Sequence, residues 1–374
     1  MGNLSDIFCQ ERAVSSLQRA YDAGRMGHAY LFAGGDGVGK FTTARAWAKM
    51  LLCADKRVGG DGEGRFYDSC GECESCKVFE GGGHPDFKEI YKELREFTKD
   101  GKGKTAPLDM PIDVIREFVI EKAAARPAMA DYVVFVIRQA ERLNNASQNA
   151  LLKVLEEPPK HCVIILLCSK LDKMLPTTQS RCQVVRFGPI DDDRIVEHLV
   201  SQGVERNEAR YWARFSEGSL GVAIEWATLE LKDSSVYRIK NELVNKVVKY
   251  TLADSLELAD WMLKAGKDIG DAWCKKLEKV SKSDINRRAL KGVIRMVVSV
   301  FGDAMRMSVD GSAENIVNVD QAGAIKSMAE RIDAERAAEA VAAGYKNMAW
   351  VDASVNEKLI FEELLLNLSC SGIL

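Results

Sequence analysis

The segment His28–Ala46 reads HAYLFAGGDGVGKFTTARA and has the pattern of a strand, a glycine-rich loop and a helix. A short apolar run at 30–32 precedes the loop, and an alanine-rich helical pattern follows Lys40. In a phosphate-binding P-loop, glycines let backbone N–H groups converge on an anion, and the helix N-terminus adds partial positive charge. The glycines that fit this role are Gly34, Gly37 and Gly39. The segment therefore predicts an α/β P-loop domain in which Lys40 reaches nucleotide phosphates.

The residue after Lys40 departs from the P-loop pattern. The pattern places Ser or Thr there, because that hydroxyl binds Mg²⁺, and this chain has Phe41. Thr42 comes next, but successive helix residues point about 100° apart, so its hydroxyl is aimed elsewhere. We therefore expect the loop to bind ATP or ADP weakly or not at all, and to hold the metal poorly.

A second apolar run, Val133–Ile137, ends at two residues that are unusual for an ATPase, Arg138 and Gln139. P-loop ATPases carry at this strand end an Asp that holds Mg²⁺ and, in many families, a Glu that activates water. An arginine about 4 Å from Lys40 would also repel it by roughly 4 kcal/mol at an effective dielectric constant of 20. Together with Phe41, these residues predict that the chain does not hydrolyse ATP by itself.

Length, charge and the apolar runs limit the class of protein. A chain of 374 residues is long enough for two or three domains. A net charge of −3 excludes a uniformly basic nucleic-acid binder. No apolar run approaches membrane-spanning length, and the N-terminus lacks the apolar core of a signal peptide. With ten cysteines, this pattern predicts a cytoplasmic protein with reduced thiols.

The prolines divide the chain into two halves. All eight lie between Pro85 and Pro189. Before Pro189, helical patterns such as 5–26 and 41–53 alternate with β-type runs, as in a parallel α/β domain. After it, apolar residues recur at helical spacing, for example Leu290, Ile294, Val297, Phe301 and Met305. The second half is therefore predicted to be almost wholly helical.

Four cysteines have the spacing C-x16-C-x2-C-x2-C: Cys53, Cys70, Cys73 and Cys76. Four thiolates so close in sequence suit a tetrahedral structural zinc ion and leave no position open for catalysis. Three alternatives stay open. An iron–sulfur cluster would need a further cysteine where Glu80 stands, His84 could replace one ligand, and the thiols could be free.

Two further stretches, NALLKVLEEPP (149–159) and LPTTQSRC (175–182), are the most specific in the chain. Together with the P-loop and the CGECESC...GGGHPDF segment, they resemble the delta-prime members of the bacterial DNA polymerase III clamp-loader family. The resemblance covers residues 7 to about 223, and VNEKLIFEELLLNL (355–368) resembles the last helix of the family.

The resemblance implies an AAA+ architecture. Its expected parts are a RecA-like domain at 1–188 with a zinc module at about 53–86, a small helical lid at 189–229, and a helical collar at 230–374 for oligomerisation. Two segments, 95–108 and 303–335, match no motif of the family.

Delta-prime subunits commonly lack a working ATP site, which agrees with Phe41, Arg138 and Gln139. In this family the Ser-Arg-Cys motif offers its arginine to the ATP of a neighbouring subunit. The resemblance therefore implies that Arg181, between Ser180 and Cys182, is an arginine finger acting in trans. Arginine suits this role because its delocalised charge meets the γ-phosphoryl oxygens as charge develops there.

Two more positions follow from the resemblance. Ser169 falls near the place of a polar sensor residue, although a serine at a strand end is also a common turn former. Gly221 stands where active relatives carry a phosphate-sensing arginine, which would remove another nucleotide contact.

The implied partners are the gamma/tau and delta subunits of a five-subunit ring in the DNA polymerase III holoenzyme, a DNA-directed DNA polymerase. Through that complex the chain would contact the sliding clamp and primer–template DNA. The expected location is the bacterial cytoplasm, at the nucleoid-associated replisome, and no membrane contact is expected. Two other functions stay open. One is an ATP-hydrolysing tau/gamma-type subunit in which Thr42 and unrecognised acids complete the metal site. The other is a zinc protein that binds DNA alone, which the net charge disfavours.

Overall fold

The structure, a computed structural model, describes residues 2–59, 65–102, 108–232, 234–277 and 280–370. The predicted loops at 56–67 and 98–106 lie partly outside these residues. The chain divides into two compact units, Met1–Ile190 and Asp191–Leu374. Across the described ranges, no helix is both long and apolar enough to cross a membrane. The further division of the second half into lid and collar stays a prediction.

A five-stranded parallel sheet forms the centre of the first unit. Its strands, in spatial order, are β4 (Phe87–Ile90), β5 (Val133–Ile137), β6 (Cys162–Cys168), β1 (Ala29–Ala33) and β7 (Gln183–Arg186). The strands β5, β6 and β1 are buried along their whole length, because helices cover both faces of a parallel sheet and both faces must be apolar. A separate antiparallel pair joins β2 (Arg57–Gly59) to β3 (Phe66–Asp68). The predicted parallel α/β fold is confirmed.

One helix of the first unit precedes the strands in sequence, and the others lie between them. They are α1 (Glu11–Asp22), α2 (Lys40–Leu52), α3 (Glu74–Glu80), α4 (Ile112–Ile115), α5 (Glu121–Ala123), α6 (Asn145–Glu156) and α7 (Pro176–Gln179). The helix predicted at 41–53 is confirmed to within one residue at each end. The helix predicted at 5–26 is too long. Cys9 has a φ of 53° and separates a 3-10 turn from α1, and Gly24, with a φ of 64°, follows the last turn.

The second unit is helical, as predicted. Its helices are α8 (Asp192–Ser201), α9 (Arg206–Phe215), α10 (Leu220–Ala227), α11 (Val236–Val248), α12 (Ser255–Lys276), α13 (Lys282–Asp310), α14 (Ala322–Ala329), α15 (Ala334–Asp352) and α16 (Glu357–Cys370). The long helix α13 packs against α11, α12, α14 and α15. Its predicted apolar face is buried from Leu290 to Phe301, and Met305 is half-buried. Gly292 is required there, because a Cβ would lie 2.2 Å from the Trp226 ring.

The unmatched segment 303–335 joins α9 to the helices around α13. Lys240 on α11 is fully buried, forms a 2.6 Å ion pair with Asp320, and has its ammonium 4.1 Å from the centre of the Tyr211 ring on α9. Arg214, also on α9, donates to the carbonyl of Ile316. Burial lowers the pKa of Lys240, and hydrogen bonding to Asp320 opposes that shift. A buried charge needs such a partner, so this segment completes the core of the second unit.

Candidate functional site

The P-loop has the geometry of an anion cradle closed by its own lysine. The Lys40 ammonium donates to the carbonyls of Gly34 and Gly35 at 2.6 and 2.5 Å. Gly39 has a φ of 104°, which favours glycine, and a Cβ at Gly34 would lie 2.5 Å from the Phe187 carbonyl oxygen. Burial lowers the pKa of Lys40, while the charges of nearby carboxylates oppose the shift. The loop therefore has the backbone shape that phosphate binding requires.

A cavity of about 700 Å³ lies beside the loop and has the size of a small-molecule site. One wall is residues 9–12, at the start of α1, and another is the segment 186–189 after β7. The Gln10 amide donates to the carbonyls of Val38 and Gly188 at 3.0 and 2.9 Å and so ties the two walls to the loop. No motif marks residues 9–12 in the sequence, and the sequence analysis missed this wall.

The position expected for a magnesium hydroxyl is filled by an aromatic ring. Two guanidinium groups lie near the Phe41 ring, with Arg45 at 5.7 Å and Arg138 at 5.2 Å from its centre. Arg138 also forms a 3.0 Å ion pair with Glu89 on β4. This carboxylate balances the Arg138 charge, which reduces the repulsion that we expected between Arg138 and Lys40. Thr42 is exposed, as its helix position predicts.

Glu141 is a carboxylate that the sequence analysis missed. It lies four residues beyond β5 and accepts the Ser169 hydroxyl at 2.6 Å and the Ser169 N–H at 3.1 Å. Its charge also acts to raise the pKa of Lys40, which puts it in the electrostatic field of the P-loop. The predicted sensor residue Ser169 therefore has an acidic partner, and both carboxylate oxygens of that partner are engaged.

Arg181 lies just after α7 with its guanidinium held at both terminal nitrogens. Nη2 is 2.6 Å from Glu156 Oε1, and Nη1 donates to the Thr177 carbonyl at 2.9 Å. The Arg181 side chain is 34% exposed, and Ser180 is exposed. Cys182 packs on the core beside β5 and β6, where burial raises its pKa to about 12. The arginine is thus available at the surface, and the cysteine is an inert packing residue.

The four predicted cysteines come together in space, where Cys53 ends α2 and the others surround the start of α3. Sγ–Sγ distances are 3.5 Å for Cys53–Cys70, 3.8 Å for Cys53–Cys73 and 3.9 Å for Cys70–Cys76. Bonds of about 2.3 Å from one tetrahedral ion place sulfur ligands about 3.8 Å apart. All four sulfurs lie within 4.8 Å of one another, so the donor set fits a single tetrahedral ion. Thiolates around a multi-iron cluster would stand farther apart.

Backbone donors favour the thiolate form of Cys73, whereas burial raises the pKa of Cys53 and of Cys76. The Cys73 sulfur accepts the Cys76 N–H at 3.5 Å, and the Cys70 sulfur accepts the Cys73 N–H at 3.3 Å. Burial acts to raise the pKa of Cys73, but N–H donors from Cys76 and Ala54 outweigh it and lower the pKa to about 6. Because metals bind thiolates, Cys73 is the ligand that this arrangement prepares for a cation.

His84 lies outside the sulfur cluster, where it supports the fold. It accepts the Asp86 N–H on Nδ1 at 3.1 Å, and its Nε2 is 2.9 Å from the Ser75 hydroxyl. Asp86, almost fully buried, accepts three backbone N–H groups from residues 128–130 at 2.6 to 3.0 Å. His84 and Asp86 therefore connect the cysteine module to the loop before β5 through hydrogen bonds. His84 is not part of the group of four cysteines that could hold a metal ion, so it does not replace one of them.

Two family models match the chain. The model of the DNA polymerase III delta subunit matches residues 9–191, and that of its C-terminal region matches residues 277–369. The first match contains the P-loop, the cysteine cluster and Arg181, and the second contains most of the helices from α13 to α16.

Curated relatives of this chain are tau and gamma subunits of DNA polymerase III. The tau subunit of DNA polymerase III from Escherichia coli is 31% identical over 59% of this chain and 32% of its own length. The tau subunit from Bacillus subtilis is 29% identical over 70% of this chain and 40% of its own length. The chain thus spans well under half the length of these relatives.

Among solved structures, a DNA polymerase III gamma subunit-related protein from Thermotoga maritima is 14% identical, with 95% of this chain and 97% of that chain covered and a TM-score of 0.41. The Bacillus subtilis DNA clamp loader delta protein is 12% identical, with coverages of 95% and 99% and a TM-score of 0.34. Both TM-scores are too low to carry an argument, and the assignment stands on the two family models. This chain belongs to the delta-type clamp-loader family of DNA polymerase III.

Proposed function

We propose that this chain is a delta-prime-type clamp-loader subunit that does not hydrolyse ATP. The observation that carries the proposal is the residue set at the magnesium position, where the Phe41 ring lies near the guanidinium groups of Arg45 and Arg138 and Arg138 is paired with Glu89. Neither the ring nor the guanidinium groups can ligate Mg²⁺, which binds oxygen ligands. Without the metal, the γ-phosphoryl transition state loses its main source of charge stabilisation.

The chain's chemical contribution is then made at a neighbouring subunit, through Arg181. Its guanidinium is at the surface and lies in a fixed orientation. An arginine delivered in trans stabilises the charge that develops on the transferred phosphoryl group. The partners in this proposal are gamma/tau-type and delta-type subunits, which together load the sliding clamp onto primed DNA. The four-cysteine module holds structural zinc, and the second unit supplies the contacts of the ring.

The direct test is ATP turnover by the purified chain. With Mg²⁺-ATP, we expect a rate indistinguishable from that of the Lys40→Ala variant, because both proteins lack a site that combines metal and phosphate. Phosphate release by the two proteins, measured side by side over hours, checks this. Turnover by the unmodified chain that Lys40→Ala abolishes would contradict the proposal.

A second candidate, an ATP-hydrolysing tau/gamma-type subunit, is favoured by Glu141. That carboxylate acts on Lys40 and holds Ser169, so it is an acid near the P-loop that the sequence motifs did not reveal. The candidate requires Glu141→Gln to abolish turnover by the isolated chain. Under our proposal there is no such turnover to lose.

The affinity for ADP, measured with and without Mg²⁺, distinguishes phosphate binding by the P-loop backbone from binding through a metal ion. The backbone cradle and Lys40 are intact, whereas the magnesium ligands are absent, so we expect ADP to bind with a Kd that Mg²⁺ changes by less than about threefold. Calorimetric titration with ADP, with and without Mg²⁺, measures this. The Lys40→Ala variant serves as the control for binding at this loop. A tenfold or greater tightening by Mg²⁺ would show that the metal site is functional.

A further inference from the structure

Glu156 touches the side chain on which the proposed function depends. It is the last residue of α6, and its Oε1 atom is 2.6 Å from Nη2 of Arg181. The other terminal nitrogen of the guanidinium, Nη1, donates to the carbonyl of Thr177 on α7 at 2.9 Å. Arg181 is therefore held from two directions by groups that belong to two different helices.

The position of Glu156 is itself fixed by the chain. The next residue, Glu157, precedes Pro158 and has left the helical region, as the residue before a proline usually does, so α6 ends at Glu156. The apolar side of α6, with Leu151 and Leu155 fully buried, packs in the core beside β5 and β6. The carboxylate thus projects from a rigid element, although it is 48% exposed itself.

The contact leaves Arg181 able to bind a phosphate. A guanidinium has five N–H donors in a rigid fork, and the bonds to Glu156 and Thr177 use only part of them. The side chain is 34% exposed, so a ligand can reach it from solvent. An arginine that is already oriented loses less conformational entropy on docking than a free one, which favours binding in the reactive geometry.

We propose that Glu156 is a positioning residue for Arg181. Its carboxylate sets the direction of the guanidinium before the nucleotide of a neighbouring subunit reaches it. The carboxylate also reduces the positive potential of the arginine, but both groups are partly exposed, and solvent screens this opposing effect. This inference rests on the proposed action of Arg181 in trans.

The test is a double-mutant cycle in the reconstituted complex with its gamma/tau-type and delta-type partners. We expect Glu156→Gln to lower the maximal DNA-stimulated ATPase rate by about fivefold, the effect of a partly exposed charged pair, with the half-saturating ATP concentration unchanged. In the Arg181→Ala background the same substitution should have no further effect. Glu157→Gln, at the next and also exposed position, is the matched control and should leave the rate unchanged.

Each outcome bears on the proposal in a different way. If Arg181→Ala leaves the rate unchanged, the trans action of Arg181 is wrong and the positioning role falls with it. If Arg181→Ala is slow but Glu156→Gln is not, only the positioning role is wrong. If Glu156→Gln still slows the Arg181→Ala complex, Glu156 acts by another route, which also overturns the inference. Should Glu156→Gln fail to assemble, Glu156→Asp replaces it, because it keeps the charge and shortens the reach by one methylene group. We expect it to lower the rate by about twofold.

Discussion

We expect replacement of Arg181 by alanine to lower the DNA-stimulated ATPase rate of the assembled clamp loader by about 10³-fold, the loss typical of a missing arginine finger. The reason is that charge builds on the γ-phosphoryl oxygens in the transition state, where a planar guanidinium meets two oxygens at once. Single-turnover measurement of phosphate release in the complex, with ATP in excess of its Kd, isolates this chemical step. Subunit incorporation, followed by native mass spectrometry, should be unchanged.

The substitution is not expected to unfold the chain. Arg181 is partly exposed, and its pair with Glu156 is also open to solvent, so the pair adds less than about 1 kcal/mol to the free energy of unfolding. Arg194→Ala is a suitable control, because Arg194 is an exposed arginine with an intrachain carboxylate partner, Glu197, on the same helix. It should leave the rate unchanged. The variant Arg181→Lys keeps the positive charge but lacks the paired N–H donors of the guanidinium. A full ATPase rate in that variant would refute a role for bidentate contact.

The features that the sequence predicted best are those carried by short-range patterns. The P-loop is one run of residues, and the four cysteines are separated by spacings that already resemble those of a tetrahedral site. The apolar face of α13 also follows from a period of 3.6 residues, and four of its five predicted positions are buried. In each case neighbours in sequence determine the local geometry.

The features that the sequence could not predict depend on contacts between distant segments. Arg138 was expected to repel Lys40, but its partner Glu89 lies 49 residues away on the neighbouring strand. The partner of Ser169 is 28 residues away at Glu141. Strand pairing brings these residues together, and nothing in a local pattern specifies which charged side chains meet. The charge partners around the P-loop could therefore be assigned only from the folded structure.

Zinc should be present at one equivalent per chain and should be lost from the double variant Cys73→Ser, Cys76→Ser. The sulfur positions already match one tetrahedral ion, so little rearrangement opposes binding. A structural zinc site contributes on the order of 10 kcal/mol to the order of the segment that holds it. In the described part of the region between α2 and β4, few apolar residues are buried apart from the cysteines and Phe79. We therefore expect this module to lose its structure without the metal.

Metal analysis of the purified protein and its thermal unfolding with and without a chelator measure both parts of this prediction. The variant Cys274→Ser is the matched control, because Cys274 lies on α12, far along the chain from the cluster, and should retain full zinc. The variant His84→Gln tests whether His84 binds the zinc ion or only stabilises the module that holds it. It should keep one zinc while lowering stability, since His84 bonds to Ser75 and Asp86 and lies outside the sulfur cluster.

Hydrogen bonds link the cysteine module to the N-terminal segment, whose residues 9–12 line the cavity beside the P-loop. Asp68, two residues before Cys70, accepts the N–H groups of Leu4 and Ser5 at 3.1 Å, and Gln18 on α1 exchanges two hydrogen bonds with Tyr67. Loss of zinc should therefore increase proteolysis at the N-terminal segment as well as within the module. Iron in the metal analysis, or full stability of the double variant, would show that the four sulfurs have another role.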